Sequence, residues 1–224
     1  GPGGARGLRG GGQMGRGRVL AAAALAGLAE VCGDFVVTTT ADTPSAERVA
    51  GHLRERFGSR IENVHHADIQ SFYWWDGKVQ DEPEIRTTLD SEVPFDELRD
   101  AVQAVHPYEV PMIISASPAG TLIGNRGQSD LYQMGAAVIN GTTGDEVHDL
   151  SRELVEVRFA ACVQVEKDDS ADDTYKIWFK TTRPKRDAIV REFGGLNFTW
   201  TPIRGNQAYL MWLEKAVEVA HGEL

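Results

Sequence analysis

The chain has 224 residues, 42% of them apolar, and a formal net charge of −10. This length suits one large domain or two small ones. No stretch approaches the roughly 20 apolar residues of a membrane span, and the acidic balance disfavours nonspecific nucleic-acid binding. The two cysteines, Cys32 and Cys162, lie far apart, which excludes a disulfide framework and a CxxC zinc site.

Residues 1–33 differ in composition from the rest of the chain. The segment 1–18 is rich in glycine and contains four arginines and no acid, and an apolar run follows at 19–29. We expect this run to form a short helix that docks on a partner. An arginine-rich, acid-poor leader is typical of an organelle transit peptide, and it also resembles a secretory signal. The alternatives are a targeting remnant, which predicts a plastid or a mitochondrion, and a disordered tail or cloning scar on a cytoplasmic protein.

The chain contains an internal repeat between residues 36–64 and residues 137–165. Both segments predict an apolar strand, a polar turn, an amphipathic helix and a second strand. Thr43 is the expected cap of the first helix, and Thr143 or Asp145 that of the second. The apolar positions that recur every three or four residues are Val49, Leu53 and Phe57 in the first helix and Val147, Leu150 and Leu154 in the second.

Each copy continues with a third strand, a second helix that starts with a proline, and a final strand. The expected ranges are 82–90, 94–105 and 108–116 in the first copy, and 174–181, 184–194 and 198–204 in the second. The order is βαββαβ in both copies, which is the ferredoxin-like arrangement.

The sequence therefore predicts an α+β protein made of two tandem ferredoxin-like units with antiparallel sheets. The predicted domains are an N-terminal extension at 1–33, a first unit at 34–120, a linker at 121–135 and a second unit at 136–224. We expect the two units to meet near residues 120–135.

Four segments of the chain carry a family resemblance. They are YWWDGK at 73–78, HPYEVP at 106–111, RFAACVQV at 158–165 and GNQAYLMWLEKAV at 205–217. All four resemble the hallmark segments of the CutA divalent-cation tolerance family, and the resemblance covers about residues 34–220. It implies ferredoxin-like units packed as a compact trimer, in which a long hairpin reaches the neighbouring subunits. Several members of that family bind copper or other divalent ions, and the family lacks a settled biochemical activity.

The two copies depart from the family pattern in different ways. The family cysteine is present as Cys162 in the second copy, whereas the first copy has Ile61 or Glu62 at that place. The second copy has a shorter hairpin with an acidic turn at 167–173, and NFTWTP replaces the HPYEVP motif at 197–202. These departures put symmetric trimerisation and metal chemistry in doubt.

The candidate metal ligands are Cys162, His65, His66 and Asp68. Strand alternation places His66 and Asp68 on one face and His65 on the other. An imidazole and a carboxylate two residues apart on a strand could hold Cu²⁺ or Zn²⁺ with a third ligand, and a thiolate favours copper. The alternatives are solvent-exposed side chains on the strand and a buried cysteine that acts as a small apolar residue. A divalent metal such as copper is the only cofactor that the sequence suggests.

The candidate interface residues are aromatic side chains and one histidine. Three consecutive aromatic residues on a strand alternate between its faces, so at least one should meet a partner. The alternative is a hairpin that packs on its own sheet. His106 of the HPYEVP segment is expected to make a structural hydrogen bond. The residues of this set are Tyr73, Trp74, Trp75, His106, Tyr108 and Trp212.

The chain contains no GxSxG, HExxH or GxxxxGK[ST] motif, so we do not expect an enzyme. The leading interpretation is a CutA-like protein of divalent-metal binding or tolerance that assembles with itself or with protein partners. The alternative is a structural accessory subunit of a larger organellar complex, photosynthetic or respiratory, that has kept the fold without the metal role. A regulatory module like the PII signalling proteins would need a basic loop, which the sequence does not show.

Overall fold

The computed structural model describes residues 34–116, 131–169, 172–193 and 198–218, which form eight strands and five α-helices. The first half contains β1 (Asp34–Thr40), α1 (Thr43–Phe57), β2 (Ile61–Trp75), β3 (Lys78–Ser91), α2 (Phe95–Val105) and β4 (Ile113–Ala116). The second half contains β5 (Tyr132–Asn140), α3 (Gly144–Glu156), β6 (Cys162–Lys167), β7 (Thr174–Thr182), α4 (Arg183–Glu192), β8 (Thr199–Gly205) and α5 (Gln207–Val217). The predicted apolar helix at 19–29 lies outside the described residues.

Local hydrogen bonds determine where two of the helices begin. α1 begins after Asp42, whose carboxylate accepts the N–H of Ser45 at 2.8 Å, so the predicted cap Thr43 is instead the first helical residue. α3 begins after Thr143, whose hydroxyl accepts the N–H of Glu146 while the Glu146 carboxylate accepts the N–H of Thr143. Both caps satisfy backbone donors that have no partner within the helix.

The eight strands form one closed antiparallel barrel with the order β1-β3-β2-β6-β7-β5-β8-β4. Within each half the neighbours follow the same scheme, since β4-β1-β3-β2 corresponds to β8-β5-β7-β6. Two seams join the halves. Residues 70–73 of β2 pair with residues 162–165 of β6, and residues 114–116 of β4 pair with residues 203–205 of β8.

The predicted α+β architecture with antiparallel strands is confirmed. The sequence did not predict that the strands of the two halves join into a single barrel. The physical reason for the closure is that β2, β4, β6 and β8 would otherwise be edge strands with unpaired N–H and C=O groups. β5 begins at Tyr132, which lies inside the range 121–135 that the sequence predicts as a linker.

Side chains alternate between the outer and the inner face of the barrel wall. Val36 of β1 belongs to an apolar cluster with Leu53 of α1 and Leu98 of α2 on the outer face, which the helices cover. Val37 points the opposite way and belongs to a second cluster with Leu213 of α5. α5 therefore packs against the inner face of the wall.

The inner face also carries buried polar side chains. Arg86, Gln164 and Lys180 are each less than 5% exposed. The Arg86 guanidinium donates to the Glu166 carboxylate at 2.5 Å and lies 4.6 Å from the centre of the Trp178 ring. Lys180 Nζ donates to Gln164 Oε1 at 2.6 Å. These contacts offset the cost of burying charge in the interior.

Candidate functional site

A cavity of about 440 Å³ lies on the inner face of the barrel wall, between the two halves of the chain. The first half contributes Tyr73 and Trp75 from β2, Glu82 and Glu84 from β3, and Tyr108 and Glu109 from the segment after α2. The second half contributes Cys162 and Gln164 from β6, and Tyr209 and Trp212 from α5. The cavity therefore depends on the pairing of the halves at the seam of β2 and β6.

The strand register explains why aromatic and acidic side chains share this cavity. Ser71 of β2 pairs with Glu82 of β3, so the two side chains lie on the same face. Alternation then places Tyr73, Trp75 and Glu84 on that face as well. Trp75 is 48% exposed, so it lies at the solvent side of the cavity.

Trp74, between the two cavity aromatics, has a different environment. Its backbone N–H donates to the carbonyl oxygen of Ala161 at 3.2 Å, next to the seam of β2 and β6. The guanidinium of Arg158, which follows α3, lies 3.3 Å from the centre of the Trp74 ring. Trp74 therefore contacts the second half of the same chain.

Two tyrosines donate hydrogen bonds to two carboxylates of the cavity. Tyr73 OH donates to Glu82 Oε2 at 2.7 Å, and Tyr108 OH donates to Glu84 Oε1 at 3.0 Å. Burial raises the pKa of Glu84, and the Tyr108 hydroxyl and the Lys180 ammonium partly oppose the rise because both favour the charged form. Burial also raises the pKa of both tyrosines, which therefore remain neutral donors.

Cys162 is buried at the inner end of the cavity and is 6% exposed. Its Sγ lies 3.4 Å from the Tyr209 hydroxyl. Burial raises the pKa of the thiol, although the nearby Lys180 ammonium opposes the rise. Burial lowers the pKa of Lys180 to about 8. A neutral, buried thiol is neither a strong nucleophile nor a ready metal ligand.

His106 does not line the cavity but holds a segment that does. Its Nδ1 accepts the backbone N–H of Tyr108 at 3.1 Å, and its Nε2 lies 2.9 Å from the carbonyl oxygen of Thr39. Because Nδ1 accepts, the Nε2–H donates to Thr39. Burial lowers the pKa of His106, which keeps the ring in this neutral form. These hydrogen bonds fix the orientation of the segment that carries Tyr108.

The candidate metal ligands do not come together. His65 and Asp68 are exposed, and His66 lies beside α1, with Nδ1 2.9 Å from the Thr87 hydroxyl and Nε2 3.6 Å from a Glu47 carboxylate oxygen.

Cys162 pairs with Tyr73, seven residues along β2 from His66, which corresponds to about 23 Å. Among the described residues, no group of three or more His, Cys, Asp or Glu side chains could hold a metal ion. The four residues that the sequence predicts as metal ligands therefore do not meet in one site of this structure.

The sequence did not predict a cavity, but several residues that it singled out for other roles line one. Of the expected interface residues, Tyr73, Trp75, Tyr108 and Trp212 line it, together with the expected metal ligand Cys162. The missed residues include Glu82, Glu84, Glu109, Gln164 and Tyr209. The alternation of β3 opposite the aromatic strand was the available signal for the first two.

No helix among residues 34–116, 131–169, 172–193 and 198–218 is long and apolar enough to cross a membrane.

The chain is similar to proteins of one family. The family model described as CutA1 divalent ion tolerance protein matches residues 35–122. A divalent-cation tolerance protein CutA of Thermococcus kodakarensis is 37% identical over 80 residues, which are 35% of this chain and 75% of the relative. The CutA of Pyrococcus horikoshii is 37% identical over 82 residues, which are 36% of this chain and 78% of the relative.

A plant relative and a solved structure give further matches. Protein CutA 1, chloroplastic, of Oryza sativa is 34% identical over 82 residues, which are 36% of this chain and 45% of the relative. The crystal structure of CutA1 from Pyrococcus horikoshii is 32% identical, with a TM-score of 0.36, and the match covers 39% of this chain and 84% of that one. The segments 158–165 and 205–217 lie outside the range that the family model matches.

Proposed function

Since this chain belongs to the CutA family of divalent-cation tolerance proteins, we propose that it is a non-enzymatic protein that binds a cation in the cavity between its two halves. The observation that carries the proposal is the composition of the cavity. Three carboxylates, Glu82, Glu84 and Glu109, line it together with five aromatic rings. Such a surface attracts positive charge, and its neutral thiol and neutral tyrosines supply no activated nucleophile.

The positive charges near the cavity are already paired or buried. Lys180 is fully buried, and its ammonium group contacts Gln164. Arg86 is paired with Glu166 on the same inner face. Glu82 and Glu109 are exposed acids at the solvent side. A cation that enters from solvent therefore meets carboxylates first.

We also propose that the chain consists of two CutA-like units that assemble with each other. The same strand order in both halves supports a tandem origin of the units, and the pairing of β2 with β6 supports assembly through the hairpin and the sheets. The name of the rice relative supports a plastid location. The alternative of an accessory subunit in an organellar complex stays a prediction.

Thermal unfolding in the presence of divalent metal chlorides and, separately, of organic ammonium chlorides, all at constant ionic strength, tests the proposal. A ligand at about a hundred times its Kd stabilises the folded state by about 2.7 kcal/mol, which raises Tm by roughly 5–10 °C for a chain of this size. Glu82→Gln and Glu84→Gln together should abolish the rise. Asp68→Asn removes one charge from the same hairpin outside the cavity and should leave the rise unchanged.

Two results would contradict the proposal: no cation stabilises the wild type, or Asp68→Asn removes the effect as completely as the cavity variants. Copper binding through Cys162 stays a prediction. Cys162→Ser should weaken it if it occurs, and calorimetry with Cu²⁺ measures the change.

A further inference from the structure

We propose that the ligand of the cavity is an organic cation with an alkylammonium or quaternary ammonium head, held by aromatic rings and carboxylates. This inference rests on the proposed function, because it names the chemical class of the cation. The inference concerns ligand binding and includes no enzymatic reaction.

The aromatic side chains of the cavity supply ring faces that can contact a cation. Tyr73 and Trp75 approach from β2, Tyr108 from the segment after α2, and Tyr209 and Trp212 from α5. The rings of Tyr209 and Trp212 are 5.3 Å apart at their centres. The faces of such rings carry negative electrostatic potential, and several rings around one space form the cage that recognises quaternary ammonium groups.

The carboxylates of the cavity supply the negative charge that a cation requires. Tyrosine hydroxyls orient Glu82 and Glu84 through hydrogen bonds of 2.7 and 3.0 Å. These two tyrosines use their hydroxyl protons for the carboxylates, so they can offer only their ring faces to a ligand. The two glutamates can still offer the carboxylate oxygens that accept no hydrogen bond from a tyrosine. A positively charged head with apolar substituents satisfies both surfaces.

The donor set argues against a bare metal ion. In the part of the chain that the structure describes, no group of three or more His, Cys, Asp or Glu side chains could hold a metal ion, and burial raises the pKa of the Cys162 thiol. A hydrated metal ion would also leave the aromatic surface without a matching apolar partner. An alkylammonium group needs no fixed coordination number, so it avoids both difficulties.

The volume agrees with a small organic ligand. A cavity of about 440 Å³ lies within the roughly 300–1,000 Å³ of small-molecule sites in proteins. Trp75, which lines the cavity, is 48% exposed, so a ligand can contact this side chain directly from solvent.

Calorimetry with choline and with its neutral isostere 3,3-dimethyl-1-butanol tests the inference on the full chain at pH 8. The two probes have nearly the same shape, and only choline is charged. We expect choline to bind at least tenfold more tightly than the alcohol. Trp75→Leu should weaken choline binding by about two- to thirtyfold, which is the range of a cation on an aromatic face.

Glu84→Gln should remove most of the preference for choline, and Asp68→Asn is the matched control that should preserve it. Circular dichroism and urea unfolding verify that the variants fold. If Glu84→Gln does not fold, Glu82→Gln replaces it, because Glu82 is exposed.

Equal binding of both probes would overturn the inference, since the cavity would then recognise shape and not charge. If choline does not bind while a divalent chloride stabilises the wild type through Glu82 and Glu84, the organic cation is wrong and the proposed function stands. If no cation of either kind binds, both are wrong.

Discussion

Gly135 of β5 lies directly against the ring of Phe179 on the paired strand β7. A Cβ atom at this position would lie 2.6 Å from Cε2 and 2.7 Å from Cε1 of that ring. The ring is fully buried and cannot move freely, because the rings of Phe198 and Trp200 pack edge-on against it at centre distances of 5.3 and 5.2 Å. Gly135→Ala should therefore disturb the whole aromatic cluster.

The expected loss of stability combines two effects. Overpacking of a core costs about 1–3 kcal/mol, and the displacement of one aromatic pair costs about 0.5–1.5 kcal/mol. We expect Gly135→Ala to lower the free energy of unfolding by about 2–4 kcal/mol in urea titrations followed by circular dichroism. Gly51→Ala is the control, since nothing lies within 4 Å of its Cβ position in α1 and alanine should stabilise the helix by about 1 kcal/mol.

A second substitution makes the test specific. Phe179→Leu in the Gly135→Ala background should recover part of the loss, because the smaller side chain removes the steric conflict. A Gly135→Ala protein within about 0.5 kcal/mol of the wild type, with an unchanged m-value, would refute the close packing of this glycine on the ring.

Three further predictions concern a buried lysine, a helix cap and the pH dependence of binding. The free energy of unfolding of the wild type, relative to that of Lys180→Met, should rise between about pH 8 and about pH 10.5 by up to about 1.4 kcal/mol per pH unit. In this pH range Lys180 is protonated in the unfolded chain and deprotonated in the folded protein. Thr143→Ala should cost about 1 kcal/mol in urea unfolding, since it removes the cap of α3. Choline affinity, measured by calorimetry, should rise with pH through the raised pKa of Glu84, because only the ionised carboxylate attracts a cation.

Each of these predictions has a result that contradicts it. A constant stability difference between the wild type and Lys180→Met from pH 7 to pH 10 would show that the lysine titrates normally. An unchanged urea midpoint for Thr143→Ala would show that the cap contributes nothing. The pH dependence of choline binding should be smaller in Glu84→Gln, and an identical profile would exclude Glu84 as its source. The titratable or charged groups that face Glu84 and share in the profile are Tyr73, Glu82, Tyr108, Cys162, Lys180 and Tyr209.

The local structure could be predicted because its signals are local. Pro94 and Pro184 lie at the starts of α2 and α4, where a proline needs no helical partner for its missing N–H. The expected third strand at 174–181 is observed at Thr174–Thr182. The final strand of the first copy is shorter than expected and begins at Ile113, because the segment that contains Pro107 and Tyr108 turns back towards β1 through His106.

The closure of the barrel could not be predicted in the same way. Closure depends on which edge strand of one half pairs with which edge strand of the other half. The sequence of an edge strand does not specify its pairing partner. Lys180 illustrates the consequence. It alternates with Ile177 and Phe179 on β7, so in an open sheet it would point to solvent, whereas in the barrel it is fully buried. The inner cavity, with its missed carboxylates, exists only because the sheet closes.

Hydrogen–deuterium exchange with and without the most stabilising cation tests the central claim most directly, because it locates the ligand without any substitution. A cation in the cavity should slow exchange in segments 69–75, 80–86 and 106–112, which carry its lining. Exchange in segment 61–67, where His65 and His66 lie away from the cavity, should not change. Slower exchange confined to 61–67, or no change anywhere, would contradict the assignment of the cavity as the binding site.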